Sequence, residues 1–310
     1  MSEVKIIKVK QADDGARLNR WFLKYYPDLP MSRLQKLLRT KQIKVDGKRA
    51  EVSTKLEAGQ EVRVPPITVA DVEDRFKIIS QKDRDFIQSL VIYKDDEIIV
   101  LNKPSGIAVQ GGSGITKHID GLLDGLMYEL DERPKLVHRI DKETSGLLVL
   151  ARTRKSAEAL TKGFREHTIR KTYLAFAYGK PKKEVGQIDA PIEKNGDKNV
   201  VQEGGKPAIT DYKIVDNVAN KFSLIEASPV TGRTHQIRVH LEYIGCPIIG
   251  DEKYYGGERK NLENFANKLH LHAYKIDLSS IYKKEKIIEA ELPKYFIESL
   301  EAVGINLKDI

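Results

Sequence analysis

Apolar and polar residues alternate over the first ten positions (VKIIKVK), which predicts an edge strand. From Ala16 to Tyr26 the period changes. Leu18, Trp21, Phe22 and Tyr25 recur at helical spacing, and Pro27 stops the pattern. Ser32, with Gln35 three residues later, has the form of a capping box and predicts a second short helix with Leu34, Leu37 and Leu38 turned inward. QIKV, Asp46-Gly47 and KRAEV then read as a hairpin with a primed turn, because Asp-Gly accepts the positive φ that such a turn demands. LEAGQEVRV, residues 56–64, predicts one more strand and ends at Pro65-Pro66. Residues 65–84 are charged and show little period, as a linker does.

From Phe86 the chain becomes strand-rich. VIYKDDEIIVLNKP predicts two short strands about Asp95-Asp96, and SGIAVQGGSG is a glycine-rich loop. Residues 117–130 carry a helical pattern. Gly146 to Ala151 is a short apolar run bounded by polar residues, which predicts a buried strand. Ser156 to Phe164 predicts a helix. RKTYLAFAYG (170–179), AITDYKIV and KFSLIEASP predict three strands. Ile237, Leu241 and Ile244 recur at helical spacing, with Gly245 and Pro247 as a stop signal, so TGRTH opens a helix. Strands mixed with helices but without regular alternation predict an α+β fold with a mixed, largely antiparallel sheet flanked by helices.

Composition narrows the possibilities. The 310 residues are 40% apolar and 32% charged, in the range of a folded globular chain. Fifty-three Lys and Arg against 45 Asp and Glu give a net charge of +8, which suggests an anionic partner. Much of the excess is local: residues 31–49 carry seven Lys or Arg against Asp46 alone. Arg33, Lys36 and Lys41 fall on or just beyond the polar face of the second predicted helix. A solvated face explains such a run; its single sign argues for phosphate contact. The single cysteine, Cys246, excludes an intramolecular disulfide and reads as a small buried residue. The first 14 residues hold no apolar signal region, and no apolar run approaches a membrane span, so a cytoplasmic protein is expected. No P-loop or dinucleotide fingerprint is present. His235 and His240 do not share a helix face, and His270 with His272 makes only a pair, so no metal is expected.

The candidate chemistry centres on Asp141, set beside His138, Arg139 and Lys142 where a polar loop meets the predicted core strand. Neighbouring cations favour the charged form of a carboxylate. Such an acid can be a nucleophile or one half of a structural ion pair. In the helix opened by TGRTH, Arg238 lies one turn beyond Thr234 and His235, within reach of a nearby carboxylate. The exposed backbone N–H groups there, with Arg233, can bind an anion.

Residues 138–146, HRIDKETSG, resemble the HRxDxxTSG signature of the RluA family of pseudouridine synthases. Gly232 to His240 is similar to that family's GRxHQxRxH segment, Arg170 to Ala175 to its RKxYxA strand, Lys103-Pro104 with Gly106 to its first motif, and Leu271-His272-Ala273 to its C-terminal segment. The sequences SRLQKLLRTKQIKVDGKR and LEAGQEV resemble an S4 RNA-binding domain. The resemblance implies an S4-like unit over 1–64, a linker over 65–84 and a synthase domain over 85–310. It implies that Asp141 is catalytic and paired with Arg238, that Tyr173 lies against the target base, and that Arg233 and His235 lie near the substrate. Arg139, next to His138, would fill the gap left by a flipped nucleotide. The implied substrate is large-subunit ribosomal RNA, met by a monomer without cofactor or membrane. A non-catalytic RNA-binding protein and a hydrolase with Asp141 as nucleophile are the opposing readings. The coincidence of Asp141, Tyr173 and Arg238 speaks against the first, the absence of a second placed acid against the other.

Overall fold

A computed structural model describes residues 4–26, 29–67, 79–112, 115, 117–130, 132–255 and 265–306. The chain divides into two compact units, Met1–Ile79 and Ser80–Ile310. Most of the expected linker, 68–78, and two positions of the glycine-rich loop, Ser113 and Gly114, lie outside the described residues.

The first unit packs two helices, Leu18–Tyr25 and Met31–Arg39, with a four-stranded sheet ordered β1 (Lys5–Lys8), β4 (Glu61–Val64), β2 (Lys44–Val45), β3 (Lys48–Arg49). Leu18, Trp21, Phe22, Leu34, Leu37, Leu38, Ile43, Leu56 and Val62 form its core. Asp46 and Gly47 both have positive φ (46° and 70°), as the predicted primed turn requires. The expected capping box does not form. Pro30 takes the N-cap position, which puts Ser32 inside the first helical turn. Lys36 and Lys41 are exposed and Arg33 is half-buried.

The second unit opens with the helix Gln81–Ser89, which begins within the stretch read as a linker. Its sheet runs β10 (Val185–Asp189), β13 (Ile209–Val218), β14 (Phe222–Pro229), β9 (Arg170–Tyr178), β15 (Leu271–Asp277), β8 (Ser145–Ala151), β6 (Ile98–Lys103), β5 (Val91–Lys94). Short strands β7 (Lys135–Leu136) and β16 (Ile287–Glu289) pair with β8 and β15. Neighbours are antiparallel except β15 and β8, so the sheet is mixed and largely antiparallel, as expected. The hairpin of β11 (Ile192–Asn195) and β12 (Lys198–Val201) and the helix Lys294–Glu301 were not predicted; the hairpin's sequence is polar and half-exposed, whereas the helix buries Phe296, Ser299 and Leu300 along one side. The 117–130 pattern yields a single 3-10 segment, Asp120–Leu126.

Every residue of β8 is buried, because β6 covers one edge, β7 and β15 share the other, and Leu122, Leu123, Leu126 and Leu160 belong to the same core. The parallel contact with β15 is tight. Gly146 has φ +104°, and a Cβ there would overlap the backbone of Ala273. Ser145 Oγ meets His272 Nδ1 at 2.9 Å, and His272 Nε2 meets the Ala290 carbonyl at 3.2 Å. A carbonyl only accepts, so Nε2 carries the proton and Nδ1 accepts from the serine.

Two outcomes follow. Gly146→Ala should destabilise by about 2–6 kcal/mol, an overpacking cost plus backbone strain, read as a lowered denaturant midpoint. Burial also lowers His270 and His272 to about 4. The unfolded chain binds those protons below about pH 6.5 while the folded unit does not, so stability present above that pH is lost as pH falls toward 4. Urea denaturation at about pH 7.5 and about pH 5 should differ by about 2 kcal/mol per histidine, and His270→Gln should remove one such share.

Candidate active site

Asp141 lies in the loop between β7 and β8, half-buried, and three contacts fix that loop. The Lys142 carbonyl accepts from Gly106 N–H at 2.9 Å and from Lys103 Nζ at 3.1 Å. The Glu143 carbonyl accepts from Ser105 Oγ at 2.7 Å. Lys103 is fully buried and also donates to the carbonyls of Pro104 and Ile107, both at 2.9 Å. Burial pulls its pKa down to about 7, against the pull of Glu143 and Asp141. The sequence marks Lys103 only through its resemblance to the family's first motif; its reach to the loop that carries Asp141 is visible only in the fold.

His138 lines the cavity and also serves the backbone of β8. Its Nε2 accepts the Val149 N–H at 2.8 Å, and its ring stacks on Phe164 at 4.3 Å. That N–H lies on the edge of β8 between the end of its β15 contact and the start of its β7 contact, so no strand serves it. An N–H donor requires a neutral acceptor nitrogen. Burial, with Lys171 nearby, pushes the imidazole pKa down to about 3, which keeps it neutral.

Arg238 is the site's best-held cation, but not through Asp141. Its Nε and Nη2 donate to Asp251 Oδ2 and Oδ1 at 2.7 and 2.8 Å. Asp251 also accepts the backbone N–H groups of Lys253 and Tyr254, both at 3.0 Å. Asp141 receives the remaining nitrogen, Nη1, at 3.9 Å, the edge of ion-pair range. The expected pairing is therefore a shared one, and Asp251 holds the two-pronged half. Burial opposes the Arg238 charge, and Asp251 more than offsets it, raising the pKa. Nothing local in the sequence marks Asp251 as this partner.

His235 Nε2 also lies 3.9 Å from Asp141. Its Nδ1 shares a 2.7 Å hydrogen bond with the Tyr254 hydroxyl, whose oxygen accepts from Asn199 N–H at 3.2 Å. Burial lowers the His235 pKa, and the Asp141 charge works against that. His235 is the N-cap of the helix Gln236–Tyr243 and is left-handed, φ 58°, so Thr234 and His235 precede the helix rather than belonging to it. The expected anion-binding turn is also partly closed: Gln236 Oε1 takes the Arg233 N–H at 3.0 Å. The amide of Gln236 donates to Ile209 O and Thr210 Oγ1, fastening the turn to β13. His240 is buried between Thr210 Oγ1 and the Ala190 carbonyl.

His138, Arg139, Asp141, Tyr173, Arg233, His235 and Arg238 line one cavity of about 500 Å³. Asp141 is the one acid among its described lining residues; Arg165, His167 and Lys171 add to its basic wall. Tyr173 makes no hydrogen bond with a described residue, and burial, then the Asp141 charge, hold its phenol in the neutral form. Arg33, Lys36 and Lys41 belong to the other unit. Among the described residues no group of three or more His, Cys, Asp or Glu forms a metal cluster, and no helix is long and apolar enough to cross a membrane.

The Arg238–Asp251 pair is buried on both sides. Asp251→Ala should cost roughly 3–5 kcal/mol of stability, because it leaves an uncompensated guanidinium, and urea denaturation reads that loss. A change below 1 kcal/mol would make Asp141 the true counter-charge.

Residues 97–243 match the family model described as RNA pseudouridylate synthase. The ribosomal large subunit pseudouridine synthase C of Rickettsia felis is 39% identical, over 92% of this chain and 95% of that protein. The protein of the same description from Escherichia coli K12 is 38% identical, over 87% of each chain. The solved structure of human RNA pseudouridylate synthase domain containing 4 matches with a TM-score of 0.62 and 27% identity, over 73% of this chain and 98% of that one. A mixed sheet that brings the HRID loop, the Tyr173 strand and the Arg238 helix to one cavity accords with these likenesses, and the chain belongs to the RNA pseudouridylate synthase family.

Proposed function

We propose that this protein isomerises uridine to pseudouridine in large-subunit ribosomal RNA, with Asp141 as the acting carboxylate. The observation that carries the reading is that one acid, Asp141, faces a cavity it shares with Tyr173 and is approached by Arg238. Relatives described as large-subunit ribosomal synthases support the choice of RNA. The reaction exchanges an N-glycosidic for a C-glycosidic bond within one nucleotide, without redox change or an added group.

Chemistry on a base requires the nucleotide to leave its stack. Arg139 is exposed, makes no hydrogen bond or ion pair with a described residue, and is suited to fill the vacated place. The Tyr173 ring then offers the uracil a stacking face. Asp141 acts on the sugar by attack at C1′, as a retaining glycosidase carboxylate does, or by taking a proton from C2′ to give a glycal. One carboxylate suffices because uracil never leaves the pocket. Arg238, held by Asp251, gives Asp141 a fixed counter-charge that it need not assemble at the moment of reaction.

Residues 1–64, within the unit Met1–Ile79, are the S4-like RNA-binding region of this reading, and the unit Ser80–Ile310 is its catalytic domain. Arg33, Lys36 and Lys41 are its candidates for phosphate contact. A cytoplasmic monomer without cofactor completes the proposal.

Asp141→Asn tests it. Tritium release from 5-tritiated uridine in ribosomal RNA, or mass-spectrometric counting of pseudouridine, should fall to background while RNA affinity stays within a few-fold. Turnover near wild type would overturn the assignment of Asp141.

A further inference from the structure

One group in the cavity has no role in the scheme above. Lys171 precedes Tyr173 by two positions on β9, so the two side chains share a face of the strand. Both line the cavity. Lys171 is partly buried and makes no hydrogen bond or ion pair with any described residue, and desolvation lowers its pKa. A cation placed this way weakens the fold rather than supporting it.

His167 adds a second, independent oddity. It follows the helix Arg154–Arg165 at the position where chains usually turn left-handed, and Thr168 N–H closes the turn onto the Gly163 carbonyl at 3.0 Å. Its φ is 57°, a conformation that favours glycine. A histidine stands there instead, at the lip of the same cavity. Lys171 and Arg233 are close enough to depress its pKa further, after burial. Arg233 is itself exposed, and among the described residues its guanidinium is engaged only through Nε, on the Pro207 carbonyl at 2.9 Å. So three basic side chains converge on one wall, and the one acid of the cavity belongs to the reacting end.

We propose that Lys171, with His167 and Arg233, forms a seat for a backbone phosphate of the RNA, the phosphodiester next to the nucleotide whose base lies against Tyr173. The spacing suits that ligand. Two residues of strand separate Lys171 from Tyr173 by roughly 6.6 Å, the scale of one nucleotide. A phosphodiester supplies what the wall lacks: a permanent anion with oxygens that accept from an ammonium, a guanidinium and an imidazole. The inference rests on the proposed reaction for the identity of the strand, but the seat itself is tested through binding.

The test uses the full chain with Lys171→Met, which keeps the length of the stem and removes the charge. Its thermal midpoint should equal or exceed wild type. Its affinity for a large-subunit ribosomal RNA fragment should drop about ten- to a hundred-fold, the loss of a charged hydrogen bond. The slope of log affinity against log salt should flatten by about 0.7, one single-strand phosphate contact. His167→Gly should be at least as stable as wild type, because it relieves the left-handed turn, and should still bind RNA more weakly. An unchanged salt slope in Lys171→Met, or full affinity in His167→Gly, overturns the seat. These arms need no turnover, so a wild-type protein that forms no pseudouridine would sink the proposed reaction and leave the seat still judged. Where turnover is found, a stem-loop built round the converted uridine is made with a neutral methylphosphonate at each flanking linkage in turn. The Lys171→Met penalty should vanish for one of them; a penalty that persists for both means the ammonium serves something other than a phosphate.

Discussion

The approach of Gly146 to Ala273 is the constraint on which the site depends. It lets β8 and β15 run side by side where the sheet changes from antiparallel to parallel, and it leaves no room for a Cβ. Asp141 lies five residues before that contact, and Leu271, two residues from Ala273, lines the same cavity. The TSG that closes the HRID motif thus has a steric reason. Thr144 is buried with its N–H on the Asp141 carbonyl at 3.2 Å, Ser145 is tied to His272, and glycine alone fits the third place.

Around that junction the site divides its charges. Two nitrogens of Arg238 belong to Asp251 and one is left toward Asp141. On the proposed reading, in which Asp141 reacts, a guanidinium held by Asp141 alone would lose its anchor whenever that carboxylate reacted; fastened from behind by Asp251, it has a second one. Arg238 also lies 4.9 Å from the centre of the Tyr254 ring, and Tyr254 in turn bonds His235, so the ring ties together both side chains that approach Asp141. The buried histidines do the reverse of carrying charge. His138, His270 and His272 are kept neutral and serve backbone or hydroxyl groups that the sheet leaves unserved.

What the sequence made legible is what lies close together along the chain. Asp141 and its loop, β8, the Tyr173 strand and the stop at Gly245 all carry local signals of period or turn chemistry. Partners brought from afar carry none. Asp251 is 13 residues from Arg238, and Lys103 reaches a carbonyl 39 positions away. His138 stands beside Arg139 in the sequence, yet one faces a backbone N–H and the other solvent, a difference set by which edge of β8 lacks a neighbour. The capping box at Ser32 misled because a proline one residue ahead of the helix had already taken the cap. Likewise, the helix read as opening within TGRTH starts only at Gln236, because His235 turns left-handed.

Lys103 carries a consequence for how RNA would be chosen. Its ammonium stitches three carbonyls from two loops into one block, and Lys142, next to Asp141, is part of that block. A receiving surface stitched in this way has little give, so the adjustment on binding falls to the nucleic acid. On the proposed reading, discrimination among uridines then resides less in contacts to bases than in how readily each stretch of RNA distorts: a uridine in a loose loop yields its place at small expense, one in a stiff stem does not. Selectivity becomes a mechanical property of the substrate, measured against a fixed die.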